Sequence, residues 1–424
     1  MSTPQHATVP DDRSTSFPKE KIRIVLLEGI HRSARESLET AGFAVENAGG
    51  ALTGTALAKA IAGAHAIGIR SKSQIDADVL GHAKNLLAVG CFCIGTNQVD
   101  LGRTAAMGVP VFNSPFSNTR SVAELVVAEV IALHRRLADR SAQMHAGVWR
   151  KSSAGSHEVR GRTLGIVGYG RIGSQVSVLA EALGMRVIYH DTVPTLAMGN
   201  ARLAGSLDQL LRESDAVTLH VPATATTKKL IGKRELGLMR EGAVLLNNSR
   251  GSVVDVDALA SALGSGHLAG AAVDVFPEEP AANTDGFESP LRGLDNVILT
   301  PHVGGSTGEA QEAIARDVAG KLVRFINIGS TTGAVNVPEV ELPEQPGGDR
   351  ARPHRILHMH KNVPGVLGKL HQVLSAHGAN VSGEVLRTNQ DLGYVVLDVD
   401  PGDSRPVVEE LAAIPETVRV RVLW

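Results

Sequence analysis

The sequence predicts an α/β protein with two doubly wound, Rossmann-like domains and a smaller, ferredoxin-like domain at the C-terminus. Three observations support this prediction. Apolar strand-like runs alternate with helical patterns over residues 21–305, a glycine-rich turn joins a strand to a helix within residues 163–191, and residues 354–424 show a β-α-β-β-α-β pattern. Alternating strands and helices are typical of parallel sheets covered on both faces, and the C-terminal pattern is typical of a ferredoxin-like unit.

The predicted elements follow one another at short intervals. Strands are predicted at IRIVLLEG, AHAIGIRSKS, LLAVGCFCIGTN and VPVFN, and later at MRVIY, DAVTLHVPAT, AVLLNNSRG, GAAVDVFPEEP and NVILTPHVGG. Between these two groups, SVAELVVAEVIALHRRL places apolar residues at helical spacing and predicts a long buried helix. Ser121 and Glu124 predict a capping box at the start of that helix.

Composition and periodicity divide the chain into five segments. In order they are a flexible arm (1–20), a split domain (21–115 and 306–340), a central domain inserted into it (116–305), a proline-rich linker (341–353) and the C-terminal domain (354–424). The split domain is therefore predicted to be left and re-entered once by the chain.

Charge and cysteine content exclude several classes of protein. The 42 Lys and Arg nearly balance the 44 Asp and Glu, so we expect no nucleic-acid partner and no attraction to anionic membranes. No apolar run is long enough to span a bilayer and no signal peptide is evident, which predicts a cytoplasmic protein. The spacing of Cys91 and Cys93 suits neither a disulfide framework nor a zinc site, so we expect reduced thiols and no bound metal.

The glycine-rich turn carries the strongest functional signal. An apolar strand leads into Gly168, Gly170 and Gly173, and a helical pattern follows directly. In this context the three glycines permit a tight turn, close approach of the backbone to a pyrophosphate, and close packing of the helix. The N–H groups near Arg171 and Ile172, at the helix start, would bind the phosphate charge. The turn therefore predicts a dinucleotide cofactor.

The second strand of this unit ends at Asp191, 18 residues after the last glycine. A carboxylate there can accept hydrogen bonds from an adenosine ribose and would repel a 2′-phosphate. Thr192, Val193 and Pro194 follow, and none of them is basic. NAD is therefore predicted rather than NADP.

Three residues that follow later strands could form a hydride-transfer site. His302 is suited to passing a proton at neutral pH, and Glu279 beside it would orient the ring and help it to hold a proton. Arg250 could bind the carboxylate of an α-keto acid and polarise its carbonyl. Because ligands bind at the carboxyl ends of strands in open α/β sheets, these residues predict an NAD-dependent oxidoreductase acting on a small 2-hydroxy acid.

Six segments resemble one enzyme family. GCFCIGTNQVDL, PFSNTRSVAEL, GYGRIG, NNSRG, DVFPEEP and TPHVGGST resemble motifs of the D-isomer-specific 2-hydroxyacid dehydrogenases, and the likeness extends from about residue 20 to the C-terminus. The first motif and the C-terminal domain are most similar to the short, serine-regulated bacterial members. The resemblance implies that the split domain binds substrate, the central domain binds NAD, and residues 354–424 form an ACT regulatory domain.

The resemblance also implies an activity and an assembly. The implied reaction is oxidation of 3-phospho-D-glycerate to 3-phosphooxypyruvate, the first step of L-serine biosynthesis, in a homotetramer that L-serine inhibits at the ACT domain. Reduction of 2-oxoglutarate to 2-hydroxyglutarate is the expected side activity.

Individual residues are implied by matching motifs. His302 is implied as the acid/base, Glu279 as its partner and Arg250 as the substrate anchor. The residues implied at the cofactor are Gly168, Gly170, Arg171, Ile172, Gly173, Asp191, Asn248, Ser249, Arg250, Asp274, His302, Val303, Gly304 and Gly305. Those implied at the substrate phosphate are Arg70, Lys72, Trp149 and Lys151, and those implied at the serine effector are His360, Asn362 and, from a neighbouring subunit, Asn380. Asn248 departs from the family pattern, which often has a small residue there.

Two other functions stay open from the sequence. A dehydrogenase for hydroxypyruvate or glyoxylate would share the same catalytic residues, although Arg70, Lys72 and Lys151 favour a substrate with an added anionic group. A non-enzymatic, NAD-sensing scaffold of the corepressor type would also share them, whereas the ACT-like domain argues against it.

Overall fold

The computed structural model describes residues 17–280, 286–344, 353–402 and 404–423. Residues 1–16 of the predicted arm and 345–352 of the predicted linker lie outside the described residues. Contacts divide the chain into two compact units, a split unit within residues 1–115 and 312–424 and a central unit within residues 116–311. The boundaries of the five predicted segments remain predictions.

A five-stranded parallel sheet lies in the split unit. Its strands are β1 (Arg23–Leu26), β2 (Ala44–Asn47), β3 (Ala66–Ile69), β4 (Ala88–Cys91) and β5 (Val111–Phe112), in the order β2-β1-β3-β4-β5. The helices between them are α1 (Arg32–Thr40), α2 (Gly54–Ala62), α3 (Ala77–Leu80) and α4 (Leu101–Ala106). This strand order is that of a doubly wound sheet.

The central unit begins with α5 (Thr119–Arg135) and α6 (Leu137–His145) and then forms a seven-stranded parallel sheet. Its strands are β6 (Thr163–Val167), β7 (Arg186–His190), β8 (Arg202–Leu203), β9 (Ala216–Leu219), β10 (Ala243–Asn247), β11 (Leu268–Val273) and β12 (Val297–Leu299). Its helices are α7 (Arg171–Ala182), α8 (Leu207–Glu213), α9 (Lys233–Leu238) and α10 (Val256–Gly264). The order β12-β11-β10-β9-β6-β7-β8 is that of a Rossmann sheet extended by one strand.

The last helix of this region, α11 (Gly308–Ile328), precedes a four-stranded antiparallel sheet. The elements are β13 (His354–Lys361), α12 (Val366–Ala376), β14 (Val381–Thr388), β15 (Leu392–Val399), α13 (Arg405–Ala413) and β16 (Thr417–Leu423), with strand order β14-β15-β13-β16. This is the ferredoxin-like arrangement. The predicted fold class, two Rossmann-like domains and a ferredoxin-like ACT domain, is confirmed.

The C-terminal sheet shares a hydrophobic core with the rest of the split unit. Leu357 and Met359 on β13 and Tyr394 on β15 belong to the same buried cluster as Val318 and Leu322 on α11. Burial of large apolar side chains is the dominant stabilising contribution in such interfaces. The C-terminal sheet therefore depends on α11 for part of its stability.

The capping box predicted at Ser121 and Glu124 is wrong. The N-cap of helix α5 is Asn118, three residues before Ser121, and the Oγ of Ser121 instead lies 2.7 Å from the Oγ1 of Thr307. Glu124 pairs with Arg120 on the helix surface. The two side chains make other contacts because the helix starts almost one turn earlier than the motif suggests.

The long helices α5 and α11 contain 17 and 21 residues. Charged side chains interrupt both. Within the described ranges, no helix combines the length and the apolar character needed to cross a membrane.

Candidate active site

The turn between β6 and α7 lies where the strand order of the central sheet reverses, with β7 on one side of β6 and β9 on the other. Gly168 has a φ of +91°, and a Cβ on it would come within 2.6 Å of the carbonyl oxygen of His220. A Cβ on Gly173 would come within 2.2 Å of the carbonyl oxygen of Gly168. Gly170 precedes α7, and a Cβ on it would meet nothing within 4 Å. Open space therefore lies beside the N-terminus of α7, as a pyrophosphate requires.

The residues at the start of α7 and at the end of β7 surround this space. The guanidinium of Arg171 stacks on Phe116, 3.8 Å from the ring centroid. Asp191 follows β7, and its carboxylate accepts hydrogen bonds from the N–H groups of Tyr169 (2.7 Å) and Val193 (3.0 Å). These bonds orient the carboxylate and leave lone pairs for ribose hydroxyl groups. Ile172 is half-buried in the first turn of α7.

The turn after β10 is held by side-chain and backbone contacts. The Oδ1 of Asn247 accepts hydrogen bonds from the N–H (3.2 Å) and the Oγ (2.9 Å) of Ser249, and its Nδ2 donates to the carbonyl of Arg250. A Cβ on Gly251 would lie 1.9 Å from the carbonyl carbon of Phe276. The turn that carries Arg250 therefore touches the backbone of the turn that follows β11.

His302 and Glu279 form a direct pair. The Nδ1 of His302 lies 2.9 Å from the Oε2 of Glu279, whose Oε1 accepts a hydrogen bond from the N–H of Phe276. The two side chains are 51% and 38% exposed, so a ligand can reach them. Because Nδ1 faces a carboxylate, it carries the ring proton, and Nε2 of a neutral His302 remains free to accept one.

Asp274 fixes the turn that carries His302. Its buried carboxylate accepts hydrogen bonds from the N–H groups of Val303 (2.8 Å) and Gly304 (2.8 Å). A Cβ on Gly305 would come within 2.5 Å of a neighbouring side-chain amide. The N–H of His302 donates to the carbonyl oxygen of Asp274 at 2.8 Å. Asp274 is therefore part of the support of His302.

The sequence prediction missed Glu129, the buried partner of Asn248. The Nδ2 of Asn248 donates to the Oε2 of Glu129 at 3.0 Å. Among the described residues, the Oε1 of Glu129 and the Oδ1 of Asn248 have no partner. Burial, together with the charge of Asp274, raises the pKa of Glu129 to about 7. The sequence signal for Glu129 was a charged residue among the apolar residues that α5 places on its buried face.

We expect the Glu129→Gln variant to be more stable than the parent at pH 8 and equally stable near pH 4.5. The pKa of Glu129 in the folded chain is raised, so the stabilisation by its proton is complete at low pH. This stabilisation is lost as the pH rises through about 7, which lowers the free energy of unfolding of the parent by about 3 kcal/mol. Glutamine keeps the shape and has no charge. Denaturant midpoints at both pH values measure this, with the exposed Glu124→Gln as the control. An equal midpoint shift at both pH values would contradict it.

The residues implied at the substrate phosphate lie in both units. Arg70 and Lys72 share a turn after β3 in the split unit, and Trp149 and Lys151 share an exposed loop after α6 in the central unit. Trp149 is 79% exposed. Within the described part of the chain, the charged groups of Arg70, Lys72 and Lys151 have no ion-pair partner. Their roles remain predictions.

The residues implied at the effector lie on the C-terminal sheet. His360 is buried on β13, its ring stacks on that of His358 with centroids 5.2 Å apart, and burial lowers its pKa. The Nδ2 of Asn362 donates to the carbonyl of Asn389 at 2.7 Å. Asn380 is exposed directly before β14. Among the hydrogen bonds of the described residues, none joins two of the three effector residues.

Comparisons with known proteins identify the family. The model of the NAD-binding domain of D-isomer specific 2-hydroxyacid dehydrogenases matches residues 127–304, and that of the AHAS small subunit-like ACT domain matches residues 356–419. The D-3-phosphoglycerate dehydrogenase of Dictyostelium discoideum is 51% identical over 413 residues, which cover 97% of this chain and 100% of the relative. The enzyme of that name from Escherichia coli strain K12 is 50% identical, with 96% and 99% covered. The chain belongs to the D-isomer-specific 2-hydroxyacid dehydrogenase family.

Solved structures of D-lactate dehydrogenases align with most of this chain. The D-lactate dehydrogenase of Aquifex aeolicus, complexed with NAD and lactic acid, aligns with a TM-score of 0.64 and 25% identity, covering 74% of this chain and 100% of that chain. A D-lactate dehydrogenase from Sporolactobacillus aligns with a TM-score of 0.65 and 30% identity, covering 74% and 99%. The predicted family and the predicted NAD cofactor are confirmed, and the chain is an NAD-dependent oxidoreductase.

The central unit fits this cofactor. The glycine turn and the N-terminus of α7 leave room for the pyrophosphate, and the oriented carboxylate of Asp191 fits an unphosphorylated ribose. Among the described residues, no group of three or more His, Cys, Asp or Glu side chains could hold a metal ion. The contacts of each individual residue with NAD remain predictions.

Proposed function

We propose that this enzyme oxidises 3-phospho-D-glycerate to 3-phosphooxypyruvate with NAD, the first step of L-serine biosynthesis. The observation that carries the proposal is about 50% identity, over nearly the whole chain, to relatives named D-3-phosphoglycerate dehydrogenase. The bonded pair of His302 and Glu279 supports it, because oxidation of an alcohol needs a group that removes the hydroxyl proton.

In the proposed mechanism, Arg250 binds the substrate carboxylate and thereby orients C2 and its hydroxyl group. The Nε2 of His302 accepts the proton of the C2 hydroxyl. Glu279 stabilises the resulting imidazolium through its hydrogen bond with Nδ1. The glycine turn before α7 and the carboxylate of Asp191 would hold NAD, which would supply the acceptor for the hydride of C2. In the reverse direction, His302 returns the proton to the carbonyl oxygen of 3-phosphooxypyruvate.

The substrate phosphate is assigned to cations that have no ion-pair partner among the residues that the structure describes. Arg70, Lys72 and Lys151 are the cations proposed to bind the phosphate, and Trp149 is proposed to contribute to the same binding. A dianionic phosphate needs cations beyond the one at the carboxylate, and a guanidinium is well suited to bind two of its oxygens. The same cations favour 2-oxoglutarate, which has a second carboxylate, over glyoxylate. Reduction of 2-oxoglutarate to 2-hydroxyglutarate is therefore the proposed side activity.

L-Serine is the proposed inhibitor, bound by His360 and Asn362 of one subunit and Asn380 of a neighbour in a homotetramer. The ACT match over residues 356–419 supports a regulatory role for this region. A neutral imidazole and two amides suit a small zwitterion with a hydroxyl group. The enzyme is proposed to act in the cytoplasm, where Cys91 and Cys93 would remain free thiols.

Consumption of NADH, followed with 3-phosphooxypyruvate, 2-oxoglutarate and hydroxypyruvate, tests these proposals. We expect the highest kcat/KM with 3-phosphooxypyruvate and inhibition of that rate by L-serine. No turnover of any of the three would contradict the proposed reaction. A rate that L-serine leaves unchanged would contradict the regulatory proposal alone, and a preference for hydroxypyruvate would favour the other dehydrogenase hypothesis.

A further inference from the structure

Glu28, which lies two residues beyond β1, has an uncommon backbone conformation. Its φ is +60°, in the left-handed region that favours glycine, and its N–H donates to the carbonyl of Gly50 at 3.0 Å. Residues with a side chain persist in this region when surrounding contacts hold them there, and they are frequent at functional sites. The contacts of the Glu28 side chain therefore need an explanation.

The carboxylate of Glu28 binds the turn that carries the two phosphate candidates. Its Oε2 accepts a hydrogen bond from the N–H of Lys72 at 3.0 Å, and its Oε1 accepts one from the N–H of Ser73 at 2.8 Å. Two successive N–H groups that converge on one point form a small anion-binding concavity. In this chain the concavity holds the protein's own carboxylate.

Two further contacts fix the backbone of the same turn. The Nε2 of the buried Gln98 donates to the carbonyl of Arg70 at 2.6 Å, and the Oγ of the buried Ser73 accepts a hydrogen bond from the N–H of Leu52 at 3.2 Å. The backbone of residues 70–73 is thus held at its beginning and its end. In the part of the chain that the structure describes, the cationic ends of Arg70 and Lys72 have no such partner.

We propose that Glu28 is a positioning residue that sets substrate specificity by fixing the turn of residues 70–73, so that Arg70 and Lys72 are held ready for the substrate phosphate. The inference rests on the proposed function, because it needs these two cations to bind that phosphate. Glu28 acts through the turn and does not itself touch the substrate. Because its carboxylate occupies the N–H groups of Lys72 and Ser73, the phosphate cannot bind to them. It is bound by the side chains of Arg70 and Lys72 instead.

The Glu28→Gly variant removes the carboxylate without adding strain, since glycine is favoured at a φ of +60°. We expect KM for 3-phosphooxypyruvate to rise on the order of tenfold, which is the effect of losing one or two hydrogen bonds to a charged group. We expect kcat, and both constants for hydroxypyruvate, to change less than about twofold, because hydroxypyruvate has no phosphate. Added formate should partly restore KM by binding to the vacated N–H groups.

Three further variants make the test decisive. Glu28→Gln keeps one accepting oxygen and should give a smaller rise in KM, and Glu36→Gln, an exposed charge loss on α1, should change nothing. The inference is overturned if Glu28→Gly leaves KM for 3-phosphooxypyruvate unchanged. It is also overturned if the variant raises KM for both substrates equally and lowers the unfolding midpoint, because that is the result of a merely structural role. If the Arg70→Ala, Lys72→Ala double variant still prefers 3-phosphooxypyruvate over hydroxypyruvate as strongly as the parent, the proposed phosphate site itself is wrong.

Discussion

The His302→Ala variant is expected to lose between about a hundredfold and ten-thousandfold in kcat for 3-phosphooxypyruvate reduction, the usual contribution of a general acid/base. His302 is the side chain whose free Nε2 can exchange a proton with the substrate oxygen, since its Nδ1 is bonded to Glu279. The loss should appear in kcat, because proton transfer takes place in the transition state and not in ground-state binding. NADH binding, followed by its fluorescence, should be unchanged.

Glu279→Gln separates the two members of the pair. Glutamine can still form a hydrogen bond with Nδ1, but it cannot stabilise the imidazolium by charge, so we expect a smaller loss of kcat than for His302→Ala. The exposed Glu278→Gln, one residue earlier in the same turn, is the matched control and should retain the parent kcat. A His302→Ala variant with kcat within tenfold of the parent would mean that another group transfers the proton.

Asp398→Ala is expected to destabilise the split unit by about 3–5 kcal/mol, the effect of leaving one charge of a buried pair without its partner. The Nε and Nη2 of Arg355 donate to the two carboxylate oxygens of Asp398 at 2.7 and 2.8 Å, and the side chains are 5% and 1% exposed. Arg355 also donates to the carbonyls of Ile328, Leu342 and Pro343. Its guanidinium thus connects β13 and β15 with the end of α11 and the segment that follows it.

Denaturant unfolding, with hydrogen exchange of β13–β16, measures the effect of Asp398→Ala. We expect these strands to lose protection first. The Arg355→Met, Asp398→Leu double variant is the control: it removes both charges and keeps apolar volume, so it should be much more stable than the single variant. A single variant within 1 kcal/mol of the parent, on the order of an exposed pair, would show that the pair is not effectively buried.

The alternation of strands and helices was sufficient to predict the fold because parallel sheets have continuous apolar strands and short connections. Gly168 and Asp191 each follow the end of a strand, β6 and β7, where the strand order of the central sheet reverses. The glycine turn and the carboxylate are the features that a dinucleotide site requires at these two positions. The start of α5 was mispredicted since Ser121 satisfies the capping pattern locally but bonds to Thr307, which is distant in sequence.

The candidate site could be predicted only in part. The sequence indicates His302, Glu279 and Arg250 because each follows a strand, and the structure brings the first two into hydrogen-bond contact. Glu129 and Glu28 were missed, since their partners are 119 and 44 residues away in the sequence and no local pattern relates them. A local signal in the sequence exists only for Glu129, which is a charged residue on the apolar face of α5.

Transfer of deuterium tests the proposed reaction most directly. The enzyme is supplied with 3-phosphooxypyruvate and NADH deuterated at both positions of nicotinamide C4, and the product is analysed by mass and by configuration. The proposed reaction predicts 3-phospho-D-glycerate with one deuterium, bound to C2. A product of the L configuration, a product without deuterium, or no product at all would contradict it.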